Sequence, residues 1–354
     1  DQLFGDFDGD GQAELAVWNQ GPRTLFLAEI PADPYTAATW SYTDIYTRTG
    51  SESEGLTQAD MDGDGLGDLV GGGGWFKYVS DGVYERREID DEQRFTRAAA
   101  GQLIAGGRPE VVFVVGDGVG RLRLYTWDGS TWIGRDLVDE EIDHGHSLQL
   151  VDLDQDGALD IFYAEMRLNG DNADARMEVL YGDGAGNFTA VEIASGYGNH
   201  ESRVADLDGD GDLDILGKPY NWQTPRVDIW LNDNDGTSGA GNEWCRHVVD
   251  ANRPWRSVFV TSADLNGDDL ADIVAGGWWY KNPGAADGEW TRTAIGDPLN
   301  NFAAVYDFDD DGDQDILGTT GQNMAVSNTF VWAQNDVAGN FAILDNIQDC
   351  LLYT

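Results

Sequence analysis

The feature that most constrains this chain is an acidic nine-residue stretch that recurs in phase. The copies DFDGDGQAE (Asp6–Glu14), DMDGDGLGD (Asp60–Asp68), DLDQDGALD (Asp152–Asp160), DLDGDGDLD (Asp206–Asp214), DLNGDDLAD (Asp264–Asp272) and DFDDDGDQD (Asp307–Asp315) match closely. A degenerate copy, QLIAGGRPE (Gln102–Glu110), fills the gap between the second and third. They begin at 6, 60, 102, 152, 206, 264 and 307, so the steps are 54, 42, 50, 54, 58 and 43 residues. A period of about fifty residues marks a repeat architecture in which each unit is one supersecondary element.

Each unit continues in the same order. After the acidic loop comes a short apolar run (LAVW, DLVGG, EVVFVV, DIFYA, DILG, DIVAGG, DILG). A third strand follows, as in TLFLAEI, RLYTW, EVLYG, VDIWLN and FVWAQ. A fourth begins with an aromatic residue, as in WSYTDIY, YERREI, WIGRDLV, FTAVEI, WCRHVV, WTRTAI and FAILDNI. Gly, Asn and Asp punctuate between them, and helical periodicity is almost absent. Four antiparallel strands in each of seven units predict an all-β, seven-bladed β-propeller occupying 1–354 as a single domain. A pair of β-sandwiches is the competing all-β arrangement, and the strict strand order argues against it. The chain starts inside the first strand of unit one, so the tail QDCLLYT (Gln348–Thr354) is expected to pair near Asp1.

Composition narrows the function classes. The formal charge is −44, from 65 acidic against 21 basic residues. Such a surface repels nucleic acid and anionic lipid. Aromatic residues at 11% argue against disorder. The longest apolar runs are strand-sized, so no membrane insertion is expected. The chain begins within a motif at Asp1, which reads as a processed or trimmed protein of a secreted, extracellular, periplasmic or cell-surface setting. Two cysteines, Cys245 and Cys350, allow one bridge or two thiols and no disulfide framework. A monomer is the favoured oligomeric state.

A hard cation such as Ca²⁺ takes six to eight oxygens at flexible distances. Six of the loops offer such a set. Positions 1, 3 and 5 are Asp6, Asp8, Asp10; Asp60, Asp62, Asp64; Asp152, Asp154, Asp156; Asp206, Asp208, Asp210; Asp264, Asn266, Asp268; and Asp307, Asp309, Asp311. Position 7 would contribute the carbonyls of Gln12, Leu66, Ala158, Asp212, Leu270 and Asp313. Position 9 adds Glu14, Asp68, Asp160, Asp214, Asp272 and Asp315. An EF-hand needs Glu at position 12 and flanking helices, and these loops have neither, so the ligand logic is shared and the fold is not. Loop six departs, with Asn266 at position 3 and Asp269 in place of Gly at position 6. The unit at Gln102–Glu110 is expected to be metal-free. About six structural Ca²⁺ ions are expected, each bracing a blade rather than serving catalysis.

With these loops and strands in view, the units resemble the FG-GAP/VCBS repeats of secreted and surface proteins over nearly the whole chain. The resemblance implies a calcium-braced propeller, the architecture also found in integrin α-subunit heads. It extends to propeller polysaccharide lyases, including those acting on ulvan and, with more blades, rhamnogalacturonan. Such a motif is specific for fold and nearly silent on function.

Function is expected where the copies break symmetry. In the innermost strands His146 stands six residues before Asp152 and His200 six before Asp206, with Glu54 and Asn301 in the same phase before Asp60 and Asp307. His144 shares a side with His146 if the strand is already extended there. The fourth histidine, His247, falls on an outer strand and reads as structural. The second strand returns to this same end. There unit four carries Glu165 and Arg167, and unit five carries Lys218, Tyr220, Asn221 and Trp222, with Arg226 nearby. Units two and six place Trp75 and Phe76, and Trp278, Trp279 and Tyr280, at the expected rim. Asn199, Glu201 and Arg203 flank His200. Convergence of imidazoles, charges and aromatics at the mouth of a central funnel is what a ligand site looks like. Each residue also has a bland alternative in backbone bonding, inter-blade pairing or packing. H-x-H without nearby Cys is a weak zinc signal.

The chemistry expected of this set is β-elimination on an acidic polysaccharide. That needs a cation for the uronate carboxylate (Lys218 or Arg203), a base for the C5 proton (His200 or His146) and an acid for the leaving oxygen (Tyr220). The local basic patch must then outweigh the distant acidic field. Glycoside hydrolysis by Glu165 and Glu201 is the close relative. A non-catalytic glycan-binding or adhesion propeller is the rival of another class, with the aromatics stacking on sugars.

Overall fold

In the computed structural model the described residues are 2–7, 11–31, 40–50, 52–80, 82–222, 226–233, 243–285, 288–309, 311–322, 327, 329–336 and 338–348. They form seven four-stranded antiparallel sheets, arranged as the blades of a propeller. The first strands are Gln2–Gly5, Thr57–Ala59, Thr96–Gly101, Ser147–Val151, Glu201–Ala205, Val260–Ala263 and Asn301–Tyr306. The second strands are Glu14–Asn19, Asp68–Gly71, Glu110–Val115, Asp160–Ala164, Asp214–Lys218, Asp272–Ala275 and Asp315–Thr319. In each sheet the four strands lie in chain order. A two-stranded ribbon, Val119–Gly120 with Ile142–Asp143, is the one further sheet among the described residues.

The apolar runs become the second strands because they are covered on both faces. Glu14–Asn19, Asp160–Ala164 and Asp315–Thr319 are buried at every position. The fourth strands are outermost and read differently: Tyr42–Thr47 and Thr291–Ala294 are largely exposed. Seven apolar clusters result, and each joins two neighbouring blades. Burial at roughly 25 cal/mol per Å² of apolar area therefore acts between blades as much as within them.

The ring closes by packing. Leu15, Val17 and Phe26 of blade one bury against Ala304, Leu317, Phe330 and Trp332 of blade seven. Gln2 also donates from Nε2 to the carbonyl of Ala303 at 3.0 Å. Gln348 pairs with Thr329 inside blade seven. Residues 349–354 and Asp1, for which pairing was expected, lie outside the described residues, as does Cys350. Cys245 is exposed.

Chain direction sorts the connections onto two faces. The acidic loops join first to second strands, and the third-to-fourth hairpins lie at the same end. The second-to-third turns and the entries to each first strand lie at the other end. No helix of the described residues is long and apolar enough to cross a membrane.

Candidate functional site

First strands of neighbouring blades face one another around the axis. Equal phase before two loops therefore places two side chains at one level of the funnel. The rings of His146 and His200 stack at 4.6 Å, and Tyr220 stacks on the far side of His200 at 4.8 Å. Arg256 lies over the Tyr220 ring at 4.2 Å. A cavity of about 370 Å³ runs down the axis beside this column, and its wall includes Arg97, His146, Glu201, Ser202 and Arg203.

The hydrogen bonds fix the state of His146. An arginine can only donate, and Arg97 Nη2 meets His146 Nδ1 at 2.7 Å, so Nδ1 accepts. Nε2 then carries the proton and points to Asp117 Oδ1 at 3.1 Å. That bond holds the Asp117 carboxyl below its ordinary value. Gly116 packs against both Glu54 and His146: a Cβ there would meet Glu54 Oε2 at 2.9 Å and His146 Nε2 at 3.7 Å.

Lys218 ends the second strand of blade five and has no exposed surface. Its Nζ lies 3.5 Å from His200 Nδ1 and 3.4 Å from the Pro219 carbonyl. Burial pushes it down to about 7, Glu201 works against that, and Arg253, Arg256 and Arg203 add to it. Burial, then Lys218 and His146, hold His200 well below the usual imidazole range. Glu201 shows the opposite balance. Burial alone would raise it, yet Arg203, Arg97 and Lys218 keep it below the ordinary value. Arg203 Nη1 donates to Glu201 Oε2 at 3.1 Å, and Arg97 lies 3.4 Å from Glu54 and 3.9 Å from Glu201. Five cations (Arg97, Arg203, Lys218, Arg253 and Arg256) thus surround three carboxylates, Glu54, Glu201 and Asp117, in a chain of net charge −44.

Four members of this set, Arg97, Asp117, Arg253 and Arg256, escape the sequence reading. Arg97 sits in the unit whose loop is degenerate, one residue out of phase with the histidines. Its only signal is a lone charge in the inner strand TRAAAG. Asp117, Arg253 and Arg256 come from connections that do not repeat.

Other expected residues sit elsewhere. The backbone is not extended at His144, where φ is +55° and the strand starts later, at Ser147. The premise that would put it on the His146 side is therefore not met, and its Nδ1 pairs with Asp143 at 2.5 Å. Glu165 accepts from the backbone N–H groups of Asp143 and Arg176, at 2.9 and 2.8 Å, and pairs with Arg176 Nη2 at 3.2 Å. It ties the connections of blade four together and makes no contact with Lys218 or Glu201 among those described. Asn199 packs under Gly217 and reaches Met177 Sδ at 3.4 Å. Asn221 bonds Asn169, and Trp222 lies under Arg167 at 4.1 Å, so the two pin neighbouring connections together. Arg226 is buried against Asp228, and Asn301 clamps Val258 N–H and the Gly321 carbonyl.

The rim aromatics become core. Blades two and six turn directly through Gly72–Gly73 and Gly276–Gly277 into third strands Gly74–Ser80 and Trp278–Lys281. Trp75, Phe76, Trp278, Trp279 and Tyr280 consequently pack between blades. His247 lies on the fourth strand of blade five.

On the opposite face, the acidic loops share one internal plan. Position 1 accepts loop N–H groups, as Asp60 does from Gly63, Asp64 and Gly65. Position 9 is fully buried and takes two N–H groups, one from loop position 2 and one from the third strand. Asp160 takes Leu153 and Gly182, and Asp214 takes Leu207 and Asn232. Burial raises Asp68 to about 6 and Asp160, Asp214 and Asp315 to about 7.

Carboxylate oxygens come within 4.8 Å of one another in Asp60/Asp62/Asp68, Asp152/Asp154/Asp160, Asp206/Asp208/Asp210 and Asp307/Asp309/Asp311. Carboxylate oxygens crowded this way suit a hard dication, and Asp62 Oδ1 is buried without a hydrogen-bond partner. Loop six is not among these groups: Asn266 donates to Asp272, and Lys281 reaches Asn266 and Asp268. Asp269 there adopts φ +65°, the conformation for which the other loops use glycine. In loop one Asp8 and Asp10 lie outside the described residues. The degenerate loop keeps only the position-9 function, with Glu110 accepting from Ile104 N–H at 2.9 Å.

A family model of the FG-GAP-like repeat matches residues 152–217, from the acidic loop of blade four into the second strand of blade five. No curated protein matches the chain in sequence. Among solved structures it is similar to a lectin from Burkholderia pseudomallei, at 12% identity over 99% of this chain and 98% of that one, with a TM-score of 0.61. It also matches the biofilm matrix protein Bap1 of V. cholerae, at 12% identity over 94% and 76% of the two chains and a TM-score of 0.49. A rhamnogalacturonan lyase of Bacillus licheniformis matches at 16% identity over 97% and 71%, with a TM-score of 0.45. At such identities the likeness is one of fold. The chain is a seven-bladed β-propeller that carries, at residues 152–217, a match to the FG-GAP-like repeat.

Proposed function

We propose that the protein is a secreted, calcium-braced propeller that cleaves an acidic polysaccharide by β-elimination in the axial funnel. The observation that carries this reading is the cluster of Arg97, Arg203, Arg256 and Lys218 around stacked imidazoles in an otherwise strongly acidic chain. A uronate carboxylate entering the funnel meets Arg203 and Arg97. Neutralising that carboxylate acidifies the C5 proton. The His200–Lys218 pair takes this proton, since a buried ammonium near neutrality is matched to proton transfer at physiological pH. His146, with both nitrogens engaged, holds the stack in place. Tyr220 protonates the leaving oxygen as the C4–O bond breaks and the C4–C5 double bond forms. The loops on the other face hold Ca²⁺ and take no part in the reaction; six ions is the expected number.

Hydrolysis fits less well, because Glu165 is committed to the backbone and Glu201 is held ionised. Non-catalytic glycan binding is the second reading. It is favoured by the burial of His200 and Lys218 behind the funnel wall, at 9% and 0% exposure, and a lectin is among the similar folds. The test is to incubate the protein with acidic and neutral polysaccharides, following ultraviolet absorbance of the unsaturated uronate together with reducing ends. Absorbance that grows on acidic substrates supports the lyase. Reducing ends without absorbance mean hydrolysis. Binding without either product refutes catalysis.

A further inference from the structure

Blade three breaks the symmetry a second time, on the face away from the funnel mouth. Its degenerate loop has Arg108 at position 7, the position from which the other loops are expected to offer a carbonyl to a cation. Beside it lies a cavity of about 380 Å³ between blades two and three, walled by Trp75, Trp127 and Trp132. The Arg108 guanidinium lies 4.8 Å from the Trp127 ring centre and 5.9 Å from that of Trp75. Trp127 and Trp132 meet edge to face at 5.6 Å.

Arg108 differs from the other cations of this wall. Lys77 is held between Asp62 and Asp64, and Arg87 pairs with Glu85. Arg108 makes ring contacts only, with no hydrogen bond or ion pair among the described residues. A guanidinium resting on indoles is fixed by its face while its donors stay available at its edge for a planar or tetrahedral anion. The indoles offer flat apolar surface of the kind that packs on the C–H face of a pyranose, and the volume is within the range of small-ligand pockets. The local negative charge is partly neutralised: of this loop's acids only the buried Glu110 remains, and the two acids of the wall are paired, Asp62 with Lys77 and Glu88 with Arg86 at 3.5 Å.

We propose that this pocket is a second saccharide site, separate from the funnel, that seats one anionic pyranose. The sugar ring packs on Trp127 and Trp132, and its carboxylate or sulfate is taken by Arg108. The site holds the polymer at the propeller's flank and needs no chemistry in the funnel.

Calorimetry on the full chain in calcium tests it, using three oligosaccharides of equal length: a uronate oligomer, a sulfated one and a neutral one. The expected result is that at least one anionic oligomer binds, and that Arg108→Ala and Trp127→Ala each weaken it at least about tenfold. Lys218→Met, in the funnel, leaves this binding in place. Whether the uronate or the sulfated oligomer binds identifies the anion. Equal affinity for the neutral oligomer overturns the proposal. So does unchanged binding by Arg108→Ala, loss on Lys218→Met alone, or no binding of any of the three. Both altered side chains are half-buried. An unchanged melting temperature serves as the folding control, and Arg108→Ala decides if Trp127→Ala unfolds.

Discussion

Replacing Lys218 by methionine should make the protein more stable and inactive at once. The ammonium has no exposed surface, and its pKa falls from 10.5 to about 7. In the unfolded chain the same amine is protonated up to its ordinary value. Between those two pH values the unfolded state binds the proton and the native state releases it, so stability rises with pH across this window. A shift of that size corresponds to about 4 kcal/mol of destabilisation at pH 7, falling to a few tenths at pH 10.5. This is an upper bound, because Glu201 loses one of its three cationic neighbours in the variant. We expect Lys218→Met to gain about 1–4 kcal/mol at pH 7, and the gain to fade as pH approaches 10.5. Chemical denaturation of both proteins at a series of pH values measures it. The difference between the two curves matters, since buried tyrosines such as Tyr163 and Tyr280 impose their own alkaline dependence on both. A variant no more stable than the parent at pH 7, or a difference that does not shrink with pH, would refute the idea that a strained buried amine sits there. A side chain that the fold would be better without, yet that polarises the site, is the kind retained for function.

Removing divalent cation with a chelator should lower the melting temperature strongly, because each site filled at a hundredfold excess over its Kd adds about 2.7 kcal/mol. An unmoved melting temperature in a thermal scan would show that the acidic loops are self-sufficient. Asn282→Ala should cost about 2–4 kcal/mol by denaturant titration. Its Nδ2 donates at 2.8 Å to the Leu207 carbonyl of the preceding blade's loop and at 2.9 Å to the Ala271 carbonyl of its own, and the variant leaves both acceptors unmatched. A loss under about 0.5 kcal/mol would mean that water replaces the amide.

The blade pattern was legible because it is local and repeated. A strand covered on both sides must read as an apolar run, and DIFYA and DILG do. The acidic loops were legible for the same reason, but their division of labour was not. Position 9 reads like a fifth cation ligand, whereas Asp160 and Asp214 hold two backbone N–H groups each. Glu110 settles which role is the more basic, since it keeps a backbone bond in the blade that has lost every other acid of its loop. The inter-blade clips of Asn232, Asn282 and Asn335 recur too, each reaching the position-2 carbonyl of the preceding blade's loop. They pass unnoticed in sequence because an asparagine after a strand reads as a turn. The funnel divides along the same line. His146 and His200 could be paired from their equal distance to two loops, because repeat phase converts directly into height along the axis. Arg97 and Arg256 could not, since one belongs to the unit whose loop has decayed and the other to a connection outside the repeat. Phase arguments thus find residues that the repeat places and miss those brought by its irregularities. Blade three supplies Arg97 and Asp117 to the funnel and Arg108 to the flank, so the blade that resembles its siblings least contributes to both candidate sites.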